Sequence, residues 1–323
     1  MEDYPRTLAE LDAKLGTEAA CRDYLFKLRW PDGFVCPRCQ GRSAWTTQRN
    51  LFICGDCEYQ ASLTAGTIFQ DTRKPLTLWF RAIWWVMAQK NGASALGVQR
   101  ILGLGSYTTA WTWLHKLRRA MVRPGRERLG GRVEVDETYV GGLEEGVHGR
   151  QTETKVLVAI ACEENGPGIG RIRLGCIDNA SGACLHAFIE RSMETGSVVH
   201  TDGWEGYGGI EGKGYRHQVT VVQRSKHSAT ELLPRVHLVA SLLKRWLLGT
   251  HQGAVGSEHL AYYLDEFTFR FNRRKSRSRG KLFYRLLQQA VAVDPAPYKS
   301  MVGGIWAKPV AKPVTAPTPT GVK

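Results

Sequence analysis

Two hydrophobic rhythms divide the chain. Before residue 125, apolar residues recur at helical spacing in 7–30, 74–92, 93–104 and 106–122. Pro75 suits a first helical turn, Asn91-Gly92 stop that helix, and a glycine turn at 103–105 joins the next two. Two helices linked this way form either a helix-turn-helix or part of an ordinary bundle. From residue 132 the period shortens to two. Residues 132–141, 155–164, 170–181, 196–204 and 215–222 read as strands, with a helix over 181–193. Helical spacing returns in 234–249, 257–274 and 281–293. The order β-β-β-α-β-α-β-α predicts an α/β mixed sheet covered by helices.

Acids interrupt this pattern at two places. "RVEVDETYVGG" puts Asp136 inside the first strand, and "VVHTDGW" puts Asp202 just past the end of the fourth. In open α/β sheets, ligands bind outside the carboxyl ends of strands. If strands one and four are neighbours, the two carboxylates converge, and paired hard oxygens suit Mg²⁺. Two such ions about 3.5–4 Å apart activate an oxygen nucleophile and stabilise the leaving oxygen. Taken alone, each acid is equally a turn residue or a solvent-facing strand position. By alternation Glu134 shares the face of Asp136, and His200 precedes Asp202 by two. Trp204 and Tyr207 fit core packing better than base stacking.

Cys36-Pro-Arg-Cys39 and Cys54-Gly-Asp-Cys57 are two CxxC knuckles. Four thiolates in this spacing suit a closed tetrahedral Zn²⁺ site, which is structural because no position stays open. The short alternating stretches between them predict a zinc ribbon, with 7–30 packing against it. Cys21, Cys162, Cys176 and Cys184 lack ligand spacing and read as small apolar residues.

The charge changes the picture again. Lys plus Arg total 44 against 30 Asp plus Glu, a net +14, which suggests a polyanionic partner. No apolar run is long enough to span a bilayer, and the acidic start has no signal-peptide core, so a cytoplasmic protein with reduced thiols is expected. Lys116, Arg118 and Arg119 cluster at the end of 106–122. Arg273, Arg274 and Lys275 open a second basic run. Both are candidates for DNA phosphate contacts, with solvated surface as the plainer role.

"CPRC…CGDC", "EVDETYVGG", "HTDGWEGY", "SLLKRWLLGTHQG" and "HLAYYLDEFTFRFNRR", in this order, resemble bacterial insertion-sequence transposases of the ISXO-like group. These belong to the DDE class, with a ribonuclease-H-like catalytic domain. The resemblance implies a Mg²⁺- or Mn²⁺-dependent enzyme that cuts and joins double-stranded DNA, and strands one and four side by side. Asp136 and Asp202 match its first two metal-binding acids. Its third position lies seven residues before a lysine. Here that lysine is Lys244 and the third position is His237, on the same helical face. Imidazole is a weak partner for Mg²⁺. His237 would bind Mn²⁺, orient a water or take a proton, unless it is structural. Lys244 would hold a phosphate. Glu231 and Glu266 are alternative third acids, though Ser228 to Glu231 is also a capping box and Glu266 a plain helix charge. The class also implies a homodimer or larger assembly on nucleoid DNA, since two element ends are joined.

These readings divide the chain into a helix and ribbon (1–72), a helical DNA-binding region (73–125), a catalytic domain (130–295) and a disordered Pro-, Ala- and Thr-rich tail (296–323). Two rivals remain: a nuclease on the same fold without strand transfer, and a zinc-ribbon regulator with an inactive catalytic fold.

Overall fold

The computed structural model describes residues 2–123, 125–142, 152, 155–221, 229–253 and 255–302. The 7–30 stretch splits into α1 (Leu8–Leu15) and α2 (Glu18–Arg29). Thr7 and Thr17 each accept a first-turn amide through the side-chain hydroxyl and so start separate helices. β1 (Ala44–Thr46), β2 (Leu51–Cys54) and β3 (Gln60–Ser62) form an antiparallel ribbon. Phe26 and Trp30 of α2 pack on Phe52 with ring centroids 5.2 and 5.4 Å away, which seats the ribbon. α3 (Leu76–Ala88), α4 (Ala95–Leu102) and α5 (Tyr107–Ala120) follow. Gly103 ends α4 at φ 61, a left-handed conformation that favours glycine. Trp79 and Trp113 stack at 3.8 Å between α3 and α5.

The second body is a five-stranded sheet of β4 (Arg132–Val140), β5 (Val156–Asn165), β6 (Gly168–Ile177), β7 (Val198–Thr201) and β8 (Arg216–Val219). Its spatial order is β6-β5-β4-β7-β8. β4, β5 and β6 are antiparallel, whereas β7 runs parallel to β4 and β8 parallel to β7. Strands one and four of this sheet are therefore neighbours, and the body is a ribonuclease-H-like α/β fold. α6 (Gly182–Ser192) covers one face, where Val133, Val135 and Ala161 meet Leu185 and Phe188. α8 (Pro234–His251), after the short α7 (Ala229–Leu232), covers the other with α9 (Leu260–Asn272). There Ile160 and Cys162 meet Val239, Leu243 and Leu264. Two 3₁₀ turns, Glu205–Tyr207 and Ile210–Lys213, stand where the predicted order had a helix between the last two strands.

Two boundaries differ from expectation. The expected catalytic domain includes α10 (Arg279–Ala292), but Leu282, Phe283, Leu286 and Leu287 lie in the N-terminal core with Phe80 and Trp84. Its apolar face matches the helical bundle rather than the sheet, so the chain returns to its first body. The start of the expected tail is ordered: α11 (Tyr298–Val302) buries Met301 against Tyr262. Residues 303–323 lie outside the described residues, as does Ser228 of the expected capping box. Among the described residues, no helix is long and apolar enough to cross a membrane.

Candidate metal and DNA site

The ribbon brings Cys36, Cys39, Cys54 and Cys57 together, their sulfurs all within 4.8 Å of one another. Cys36 Sγ lies 3.7 Å from Cys57 Sγ, and Cys39 Sγ 3.5 Å from Cys54 Sγ. Zn–S bonds of about 2.3 Å in a tetrahedron require edges of about 3.8 Å, so the donor set fits zinc. Each knuckle closes with the same turn. The amides of Gln40 and Glu58 donate to the carbonyls of Cys36 and Cys54, with both residues at positive φ.

The acids sit at the junction of β4 and β7. The last paired residues of these parallel strands are Glu134 and His200. Two residues on come Asp136, in β4 opposite Ile160 on the face covered by α8, and Asp202, just past the end of β7. Asp136 Oδ1 accepts the Glu137 amide at 2.8 Å, and Asp202 Oδ1 accepts the Trp204 amide at 3.0 Å, fixing each carboxylate. His237, in the first turns of α8, places Nε2 3.8 Å from Asp136 Oδ2. Its pKa is lowered chiefly by burial, against the opposing pull of Glu134 and Asp202. Lys244 lies exposed two turns on. Partial burial lowers its pKa, and so does Lys155, which enters β5 beside the end of β4. Lys155 carried no signal in the sequence: a single lysine before a strand is ordinary, and only the fold brings it to Lys244.

Tyr207 is fully buried and donates its hydroxyl to Glu137 Oε2 at 2.7 Å. Trp204 Nε1 donates to the Ala180 carbonyl at 2.9 Å, so both aromatics are packing residues of the acidic corner. Gly206 between them is required by space, since a Cβ there would lie 2.5 Å from the Ala180 carbonyl.

Glu134 has a role the sequence did not indicate. It is 0% exposed, and Oε2 accepts the amides of Arg235 at 2.8 Å and Val236 at 3.0 Å. A strand carboxylate thus caps the first turn of the helix that carries His237 and Lys244. Glu134, Glu164 and His200 also form a compact ligand-like cluster, the one such group among the described residues besides the cysteines. Arginines already occupy it. Arg235 Nη1 lies 2.6 Å from Glu134 and 3.6 Å from Glu164, and Arg132 Nε 2.6 Å from Glu164. His200 bonds Thr220 at 2.8 Å. This is an ion-pair network that braces the helix, and a cation there would have to displace a guanidinium. Asp136, Asp202 and His237 are spread more widely than that cluster.

The basic residues divide. Arg118, expected to contact DNA, is 2% exposed; Nε meets Glu266 at 2.8 Å and its guanidinium lies 4.0 Å over Tyr263. Arg270 meets the other Glu266 oxygen at 2.8 Å. Glu266 is therefore neither a solvated helix charge nor a third acid, but the buried tie between α5 and α9. Arg118 is corrected with it, because its donors face inward. Arg119 is half-buried. Lys116 is half-buried too, with Nζ 3.4 Å from the Gln70 carbonyl. Arg273 stacks on Phe269 and Arg274 on Phe271, each at 4.0 Å, whereas Lys275 is exposed. Glu231 is exposed.

Residues 128–272 match the ISXO2-like transposase domain, and residues 16–60 the transposase zinc-ribbon domain. An uncharacterized protein in transposable element ISH50 of Halobacterium salinarum is 24% identical over 275 residues, covering 79% of this chain and 90% of that protein. Among solved structures, the catalytic core domain of BIV integrase overlaps 47% of this chain and 89% of its own, at 16% identity and a TM-score of 0.32. The chain thus carries a transposase zinc-ribbon domain followed by an ISXO2-like transposase domain, in the order the motifs predicted.

Proposed function

We propose that this chain is an active DNA transposase, which hydrolyses a phosphodiester at the end of a mobile element and then joins the freed 3′-hydroxyl to target DNA. The observation that supports this reading is the parallel pairing of β4 with β7, which stops two residues short of both Asp136 and Asp202, together with His237 Nε2 3.8 Å from Asp136. Two hard carboxylates fit Mg²⁺, and the added imidazole suits Mn²⁺ better. When bound, such an ion supplies an activated oxygen nucleophile and charge stabilisation at the leaving oxygen.

The remaining work falls to the chain itself. Asp136, Asp202 and His237 are the residues that would hold such an ion, and the Glu134 cap ties the first turn of α8 to β4. Lys244 and Lys155 attract DNA phosphates to the mouth of the site. The zinc-held ribbon and the α3–α5 region recognise element ends, with Lys116, Arg119 and Lys275 as backbone contacts. Two chains or more assemble on nucleoid DNA in the cytoplasm, because two ends must be joined.

The test is to incubate purified protein and Mg²⁺ with end-bearing DNA and a target plasmid. Joined products support transposition. Cleavage without joining would make this a nuclease, and DNA binding with neither product would leave a regulator on an inactive fold.

A further inference from the structure

Where the two bodies meet, the linker after α5, β6, α9 and α10 line an open cavity of about 630 Å³. Six arginines line it. Three are paired with carboxylates: Arg123 with Glu127, Arg171 with Glu163 and Arg285 with Glu2. Arg126, Arg173 and Arg273 have no carboxylate within ion-pair distance among the described residues. Arg173 is 6% exposed and spends its donors on the carbonyls of Ile172 and Glu127. The Arg126 side chain has no hydrogen bond among the described residues, and Asp265 offsets its charge only from a distance. Burial, Arg126 and Arg171 together push the Arg173 guanidinium down to about 9, and burial with Arg123 and Arg285 pushes Arg273 down to about 10. Desolvated cations that repel one another call for an anion.

A second observation points the same way. Gln289 lines the cavity, is 7% exposed, and its Oε1 has no hydrogen-bond partner among the described residues. The oxygen and nitrogen of such an amide exchange by rotation, so a ligand oxygen would be met by Nε2. A phosphate group satisfies both needs, offering several acceptor oxygens and negative charge to planar guanidiniums.

We infer that this cavity is a phosphate-binding site, separate from Asp136 and Asp202, built on Arg126, Arg173, Arg273 and Gln289. Arg173 is level with Val135 across β5, two strands from β4, or roughly 10 Å at the usual strand spacing. A DNA backbone phosphate held there would tie the helical body to the catalytic sheet. Only that choice of source rests on the transposase reading; the site itself does not.

The full chain is tested with two probes. Inorganic phosphate, compared with chloride at equal ionic strength, is expected to raise the thermal midpoint of the wild type by a few degrees. Arg126→Gln and Gln289→Leu should abolish that rise, and neither breaks a hydrogen bond recorded among the described residues. A duplex without element ends is then titrated against salt. If DNA supplies the phosphate, Arg126→Gln makes the log–log slope shallower by about one. A lost phosphate response with an unchanged slope assigns the site to free phosphate. If the wild type ignores phosphate and the slope is the same in both variants, the inference is overturned. Metal-dependent cutting, read separately on Asp136→Asn, reports on the catalytic reading alone.

Discussion

Glu134 on β4 and Arg235 at the start of α8 meet at 2.6 Å with the carboxylate fully buried, across 101 residues of sequence. The same carboxylate also accepts two amides of the helix. The strand that bears Asp136 therefore sets the position of the helix that bears His237. Glu134→Gln removes the charge while keeping the shape. Breaking a buried pair of this kind costs about 3–5 kcal/mol. Urea denaturation should show that loss, and strand transfer should fall further than DNA affinity does.

Asp136→Asn and Asp202→Asn are expected to fold normally, since both sites are half-exposed. Residues that merely support metal ligands contribute about 10–100-fold, so loss of a direct ligand should lower cleavage by more than that. DNA binding in a gel-shift assay should stay within a factor of a few. Full cleavage by either variant would remove the metal reading.

Arg118→Gln separates structure from DNA contact. The substitution leaves Glu266, 1% exposed, with Arg270 as its remaining arginine partner among the described residues. We expect a loss of about 3–5 kcal/mol in stability, with an unchanged salt slope of DNA binding. A shallower slope would restore Arg118 to the DNA interface.

His115 gives the fold a pH dependence. It is 0% exposed among Trp111, Tyr262, Tyr263 and His259, and among the described residues neither ring nitrogen has a hydrogen-bond partner. Burial, then Arg118, His259 and His251, push it down to about 2, while burial and Arg118 push His251 down to about 4. Each stays neutral in the fold and charges in the unfolded chain below about 6.5. The unfolded state then binds more protons, so stability is full above that pH and falls as pH drops toward 4. His115→Phe should flatten this decline by up to about 1.4 kcal/mol per pH unit. Thermal melts between pH 7 and 4 would show it.

Zinc removal should act on the ribbon alone. Structural zinc contributes about 10–16 kcal/mol in small modules of this kind, and the three short strands otherwise hold on through Ala44, Phe52 and Ala61 against the N-terminal core. A chelator is expected to unfold residues 36–62 and abolish preference for element ends, leaving amide-exchange protection in β4 and β5 intact. Loss of protection throughout would show that the ribbon carries the whole fold.

The sequence by itself determined whatever depends on short-range spacing. Two CxxC knuckles specify a tetrahedral site because four thiolates at that interval have few other uses, and the change of hydrophobic period at residue 132 marks the passage from helices to sheet. Asp136 stands out as an acid inside an apolar strand, and Asp202 as one just past the end of another. Only the tertiary structure decided which charges are available. Arg118 and Lys275 look alike in a basic run, yet one is sealed against Glu266 and the other faces solvent. Likewise, α10 carries an amphipathic pattern that does not name its partner, and it chose the N-terminal bundle. Periodicity fixes which face of an element is buried, but the cost of burying a charge depends on partners distant in the chain. Glu134, Lys155 and the arginine cavity therefore became visible only once the strands and helices were packed.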